Sequence, residues 1–171
     1  MCKSIRSFFV AAFVVVVAAT LSGCVSIQDS NPEIYDTRAD GEQLLAEALQ
    51  TARAENKRVL LDMGANWCSD SQGMFQLLTT NTPIRRVIQE NYVFTMVDVN
   101  KEGSKPRNEK LVERLGNPIS KGIPTLLVLD ANGKVLNADP DERLTDSDHD
   151  QPAIVLAYLR KWASPARPQV P

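Results

Sequence analysis

The chain is poor in the residues that most often carry chemistry. It has three cysteines and one histidine, His149, in 171 residues. A lone histidine with no second histidine or cysteine nearby argues against a metal site. It argues equally against a Cys-His hydrolase, since nothing in the sequence brings His149 to a cysteine. A basic excess is also missing: 19 Lys and Arg stand against 21 Asp and Glu, for a net charge of −2. Without a basic patch, nucleic acid is not an expected partner. No apolar run reaches the ~20 residues of a spanning helix. No internal repeat is visible, and no cofactor is implied.

What is present begins with a short apolar segment. Lys3 and Arg6 form a positive start, and Phe8 to Leu21, 14 residues, is apolar apart from Thr20. That length suits a signal peptide. The segment ends Leu21-Ser22-Gly23-Cys24, which resembles the bacterial lipoprotein box. The resemblance implies loss of residues 1–23 and lipid on Cys24, and hence a chain anchored in the bacterial cell envelope. Val25 rather than Asp follows Cys24. In a Gram-negative cell this implies the outer membrane, facing the periplasm. An ordinary signal peptide with a chance cysteine is the alternative. Removing residues 1–23 takes away two cations and no acids, so the net charge becomes −4 over 148 residues. That length suits one domain with a real core. Val25 to Ala39 is polar and aperiodic, so residues 24–39 read as a lipidated tether reaching at most ~50 Å.

Counting cysteines then narrows the chemistry. Cys2 lies in the signal segment, Cys24 is the expected lipid site, and Cys68 remains as a thiol. Exported compartments are usually oxidising, yet no internal disulfide can form. A lone thiol in that setting is either reactive or buried.

Periodicity organises residues 40–163. Leu44, Leu45, Ala48, Leu49 and Ala52 form an apolar stripe, so Asp40 to Asn56 reads as a helix capped by Asp40 with Gln43. Lys57 to Met63 is a first strand. Cys68 to Thr80 reads as a helix that Gly73 weakens. Thr82 is the expected N-cap of a following helix, with Pro83 at its first position. Tyr92 to Val99 is a second strand, Asn100 to Arg107 a charged loop, and Asn108 to Leu115 a short helix. Ile123 to Asp130 is a third strand. Asn132-Gly133 is a tight-turn signal leading into a fourth strand at Val135-Leu136. Gln151 to Trp162 is a closing helix with Asp150 as its expected cap. Residues 164–171 hold three prolines and read as a flexible tail. The long crossover between the first two strands requires a parallel pair, and the Asn-Gly turn an antiparallel one. The expected architecture is α/β: a central four-stranded mixed sheet with helices on both faces.

One stretch carries the chemistry: Leu60-Leu61-Asp62-Met63-Gly64-Ala65-Asn66-Trp67-Cys68-Ser69-Asp70-Ser71. An apolar strand runs into a short turn, and a Trp-Cys pair opens a helix. Free N–H groups at a helix start favour an anion, and the thiolate is the nucleophile of cysteine chemistry. Asp62, Trp67 and Cys68 resemble the active-site strand and turn of thioredoxins, which carry Trp-Cys-x-x-Cys with a buried acid six positions before the first cysteine. Lys121-Gly122-Ile123-Pro124-Thr125 resembles that family's second signature, Ile-Pro-Thr ahead of an apolar strand. Together with the element order the resemblance covers roughly residues 40–163. It implies a thioredoxin-like fold, a cis Ile123–Pro124 bond beside the sulfur, and thiol–disulfide exchange on protein partners. The family's second cysteine is replaced by Ser71.

Each candidate residue has a working reading and a plainer one. Cys68 is the nucleophile, or an inert cysteine left from a dithiol ancestor. Ser71, three residues on and so on the same helical face, can hydrogen-bond a thiolate but cannot resolve a mixed disulfide, so an external thiol must do so. Asp70 adds a negative charge that opposes the helix-terminus effect. By resemblance Asp62 is a buried acid–base whose pKa burial should raise; the plainer reading is a strand-end aspartate bonded to backbone or water. Trp67 shapes the partner surface or simply packs. Pro124 and the Ile123 backbone form a groove for an extended partner segment. The acidic stretch 139–150 imitates a calcium loop at Asp146-Ser-Asp148-His-Asp150, but Gln151 and Ala157 stand where glycine and glutamate are needed, so it reads as a solvated loop. The expected protein is a monomeric, membrane-anchored, single-thiol exchange protein acting on envelope thiols or disulfides. The alternative is a binding module that keeps the fold and the proline groove without the redox step.

Overall fold

The computed structural model describes residues 33–99, 107–144 and 146–163. The signal segment, Cys24, the tether up to residue 32, residues 100–106 of the charged loop and the 164–171 tail lie outside the described residues.

The sheet is built around β1 (Arg58–Gly64), whose residues from Val59 onward are all buried. A strand covered on both faces needs an unbroken apolar run, and Val59-Leu60-Leu61 supplies it. β2 (Tyr92–Asp98) pairs with β1 in parallel. β3 (Thr125–Leu129) pairs with the other edge of β1 antiparallel. The sheet therefore has three strands in the order β2-β1-β3.

Side chains alternate along β1. Val59, Leu61 and Met63 join Leu45, Ala48 and Ala52 of α1 (Gly41–Glu55) and Leu111 of α4 (Glu109–Arg114). Leu60 points the other way, into a layer with Met74 and Leu78 of α2 (Ser69–Thr80), Ile84 and Ile88 of α3 (Thr82–Asn91) and Leu159 of α5 (Pro152–Lys161). The same alternation puts Asp62 on the Leu60 face, beneath α2. Each large apolar side chain buried this way contributes about 1.5–3 kcal/mol, so both layers hold β1 firmly.

The expected fourth strand does not form. Val135 makes an isolated antiparallel bridge to Leu129, and the Leu136 N–H donates to the Val128 carbonyl at 2.8 Å. Beyond that point a side chain replaces the ladder. Asn137, wholly buried, accepts the Val128 N–H (2.8 Å) and donates to the Leu126 carbonyl (2.8 Å) and the Tyr158 hydroxyl (2.7 Å). The amide thus satisfies the outer edge of β3 and leaves no run of backbone for a strand. Pro140 then opens a 3-10 turn, Pro140–Glu142.

Two expected caps also move. Asn81, not Thr82, caps α3 by accepting the Ile84 N–H at 3.3 Å. Gln151, not Asp150, precedes α5, in a non-helical conformation and without a side-chain capping bond, and the proline after it disfavours the helical region there. Asp150 instead ends a 3-10 helix, Asp146–Asp150. Asp40 does cap α1, accepting the N–H groups of Glu42 (2.9 Å) and Gln43 (3.4 Å). β3 starts at Thr125 rather than Ile123, directly after Pro124, which has no N–H to give a ladder. Gly73 has a packing reason: a Cβ there would lie 3.0 Å from His149 Nε2 and closer still to its ring carbon.

Replacing Asn137 by alanine orphans the buried Val128 N–H and removes two other buried bonds. Asn137→Ala should destabilise the protein by about 2–4 kcal/mol in urea denaturation, with faster hydrogen exchange at the Val128 amide.

Candidate active site

The site forms where β1 ends. Gly64 closes the strand, and a turn leads to Cys68, the N-cap residue of α2, whose carbonyl accepts the Gln72 N–H at 3.1 Å. The turn is tightened by Cys68 N–H to the Ala65 carbonyl (3.1 Å) and by Gln72 Nε2 to the Asn66 carbonyl (2.6 Å). Trp67 stands 49% exposed beside the thiol. That exposure leaves about half of its surface outside the core.

Cys68 itself is only 7% exposed. Its S–H donates to the Ile123 carbonyl at 3.5 Å, and the Ile123–Pro124 peptide is cis. The two sequence signatures, 55 residues apart, therefore meet at the sulfur. A groove of about 410 Å³ runs past Pro124, with Gly122, Thr125, Pro118, Lys121 and Arg143 in its walls. Ser71 is fully buried, and its oxygen accepts the Ala65 N–H at 3.4 Å.

Below this surface lies Asp62, fully buried. Its Oδ2 accepts the Tyr35 hydroxyl at 3.0 Å, and its Oδ1 has no protein partner. Burial pushes its carboxyl up to about 7, against which the Tyr35 hydrogen bond acts in the opposite direction. The Tyr35 phenol is itself driven far upward, first by burial and then by the Asp62 charge, so it stays protonated and remains a donor. Ser71 Oγ and the phenol border the same space beside Gly64. Gly64 makes this cluster possible. A Cβ at that position would lie 2.5 Å from Tyr35 Cζ and 2.7 Å from Ser71 Oγ, closer than side-chain carbons tolerate.

Asp62, Cys68, Ser71, Ile123 and Pro124 thus converge, with Trp67 at the rim. Two further residues were not expected. Tyr35 comes from the stretch read as tether, and Asn66 from the turn. Asn66 Oδ1 accepts the N–H groups of Ile34 (2.9 Å) and Tyr35 (2.8 Å), and its Nδ2 donates to the Tyr35 carbonyl (2.9 Å). The usable signal was Ile34-Tyr35, the large apolar pair in an otherwise polar stretch from Gln28 to Asp40. His149 packs on Gly73 of α2 and pairs with Asp150 at 3.4 Å. In the acidic stretch, Asp141 pairs with Lys121 (2.9 Å) and Glu142 with Lys161 (3.0 Å). Among the described residues no group of three or more His, Cys, Asp or Glu could hold a metal ion.

Known proteins share this fold. A family model described as thioredoxin-like matches residues 40–131. Among solved structures, a disulphide isomerase from Xylella fastidiosa Temecula1 superposes with a TM-score of 0.66 at 26% identity, over 76% of this chain and 96% of that one. A thioredoxin from Thermus thermophilus superposes with a TM-score of 0.51 at 22% identity, over 68% of this chain and 81% of that one. No curated protein matches.

The Asp62 carboxyl makes stability depend on pH. It titrates near 4 when unfolded and at about 7 when folded. Between those values the native state keeps a proton that the unfolded state has lost, so this group's contribution is fully present below about 4 and lost as pH rises through 7. Asp62→Asn removes the titration. Relative to wild type, its stability should rise between pH 4 and pH 8 by on the order of a few kcal/mol. Parallel denaturation curves at the two pH values read this directly, and a constant difference would mean an ordinary carboxyl.

Proposed function

This chain belongs to the thioredoxin-like family, and we propose that it is a membrane-anchored envelope protein performing single-thiol disulfide exchange on protein partners through Cys68. The carrying observation is the meeting of Cys68 with the Ile123 carbonyl beside Pro124 and above a buried carboxylic acid. Likeness to a disulphide isomerase supports thiol–disulfide chemistry.

In the exchange, the Cys68 thiol gives its proton to the Asp62 carboxylate, and the thiolate attacks one sulfur of a partner disulfide. The partner S–S bond breaks as the Cys68–S bond forms. The other partner sulfur leaves as a thiolate and takes back the proton. Ser71 has no thiol with which to break the resulting mixed disulfide. An external thiol therefore attacks it, frees Cys68 and stays joined to the partner. Trp67 and the groove at Pro124 supply the partner contact.

Cys68→Ser should abolish disulfide-linked adducts on non-reducing gels. In wild type the adducts should persist until a thiol reductant is added. Adducts that survive the substitution would remove Cys68 from the role.

The 7% exposure of Cys68 favours a second reading, a binding module that uses the Pro124 groove without redox chemistry. Under it, Cys68→Ser leaves partner pull-down intact while Pro124→Ala weakens it.

Anchoring rests on Leu21-Ser22-Gly23-Cys24. Cys24→Ala should move the chain from the membrane to the soluble fraction on cell fractionation, and an unchanged distribution would count against lipid on Cys24.

A further inference from the structure

Tyr35 lies outside the 40–131 span that carries the family likeness, yet it makes the sole protein hydrogen bond to the buried Asp62 carboxyl among the described residues. It is wholly buried, although it follows a polar stretch of chain. Three hydrogen bonds from one side chain hold it. Asn66 accepts the N–H groups of Ile34 and Tyr35 and donates to the Tyr35 carbonyl. Asn66 stands two residues before Cys68, and its own carbonyl is held by Gln72 of α2 at 2.6 Å. The segment before α1 is therefore stapled to the active-site turn. The staple delivers the phenol into the gap that Gly64 leaves, where it bonds Asp62 and shares the space with Ser71 Oγ.

We propose that Tyr35 is a positioning residue of the thiol chemistry: its phenol, anchored by Asn66, holds the Asp62 carboxylate and bridges it to the Cys68–Ser71 end of the site as a proton link. This rests on the exchange reading given above and adds the route of its proton. As Cys68 is deprotonated, the phenol passes its own proton to Asp62 Oδ2 and takes one from the Ser71 side. Ser71 in turn receives the thiol proton. When the partner thiolate leaves, the same chain runs backwards. The hydroxyls end each cycle unchanged, and no oxidant or reductant enters beyond the partner disulfide and the external thiol.

The surroundings limit what else sets the Asp62 charge. β3 presents Leu126 opposite Asp62, and β2 presents Met96. β2 also carries Asp98, opposite Gly64 and paired with Arg107. α5 brings Tyr158 to the Leu126 carbonyl at 3.1 Å. The head of α2 carries Cys68 and Asp70. Tyr35 is the group among these that bonds the carboxyl, and its bond favours the charged form.

The test follows Asp62 by carbon-13 NMR of its carboxyl, and Cys68 by iodoacetamide alkylation, across pH in the full-length chain. Tyr35→Phe keeps the ring and removes the donor. Asn66→Ala keeps Tyr35 and removes the staple. In both variants the Asp62 midpoint should rise by about one pH unit or more, and the alkylation profile should shift with it. A Tyr35 that merely filled space would leave both midpoints in place in Tyr35→Phe, and that result overturns the proposal. An Asp62 midpoint that rises without any change in the Cys68 profile also overturns it, because the link would then be missing. If wild-type Cys68 resists alkylation at every pH, the exchange reading fails. The Asp62 midpoint in Tyr35→Phe then still decides whether the phenol controls the carboxyl.

Discussion

A carboxyl group sits in the middle of the central strand with one hydrogen bond to the protein, and much of the site is arranged around that fact. β1 is flanked by β2 and β3 and covered on both faces, so Asp62 has no path to water through its own strand. Desolvation favours the neutral acid, and the Tyr35 phenol offsets part of that preference. An orphaned buried oxygen costs about 1–3 kcal/mol. The fold carries that cost at the point where a proton acceptor would be useful to a thiol.

The site is layered by depth. Trp67 is half exposed at the rim, Cys68 is nearly covered beneath the Ile123 carbonyl, and Ser71, Tyr35 and Asp62 are fully enclosed. In the proposed exchange this ordering separates partner contact from proton handling. It also places the Ser71 hydroxyl in a pocket shared with the Tyr35 phenol and the Ala65 amide. A hydroxyl can pass a proton but cannot leave or attack as a sulfur does. The proposed cycle therefore depends on a thiol from outside the chain.

The sheet edge follows a similar logic at lower cost. An edge strand needs its outer N–H and C=O groups covered. Here a single buried asparagine covers two of them and ties the edge to α5 through Tyr158. Arg143 extends the same patch by donating to the carbonyls of Asn137, Ala138 and Pro118. The chain after the Asn-Gly turn is thus fastened by side chains rather than by a backbone ladder.

Local pattern determined the helices, the three strands, the antiparallel return after Asn132-Gly133 and the stretch that holds the candidate site. Those features depend on periodicity and on short-range turn chemistry, both of which are written along the chain. In the sequence Ser71 stands where the resemblance implies a second thiol, and Cys68 is the remaining candidate. The sequence did not show that Asn137 would replace a strand, because a polar side chain that serves as backbone is indistinguishable in sequence from an ordinary loop residue. Nor did it show Tyr35 under Asp62. That contact joins residues 27 positions apart across a polar stretch with no period to betray it. It exists because Asn66 pins the backbone and Gly64 leaves the space. Only the folded chain brings those three distant choices to one point, since burial and hydrogen-bond closure are properties of the packed interior rather than of any segment.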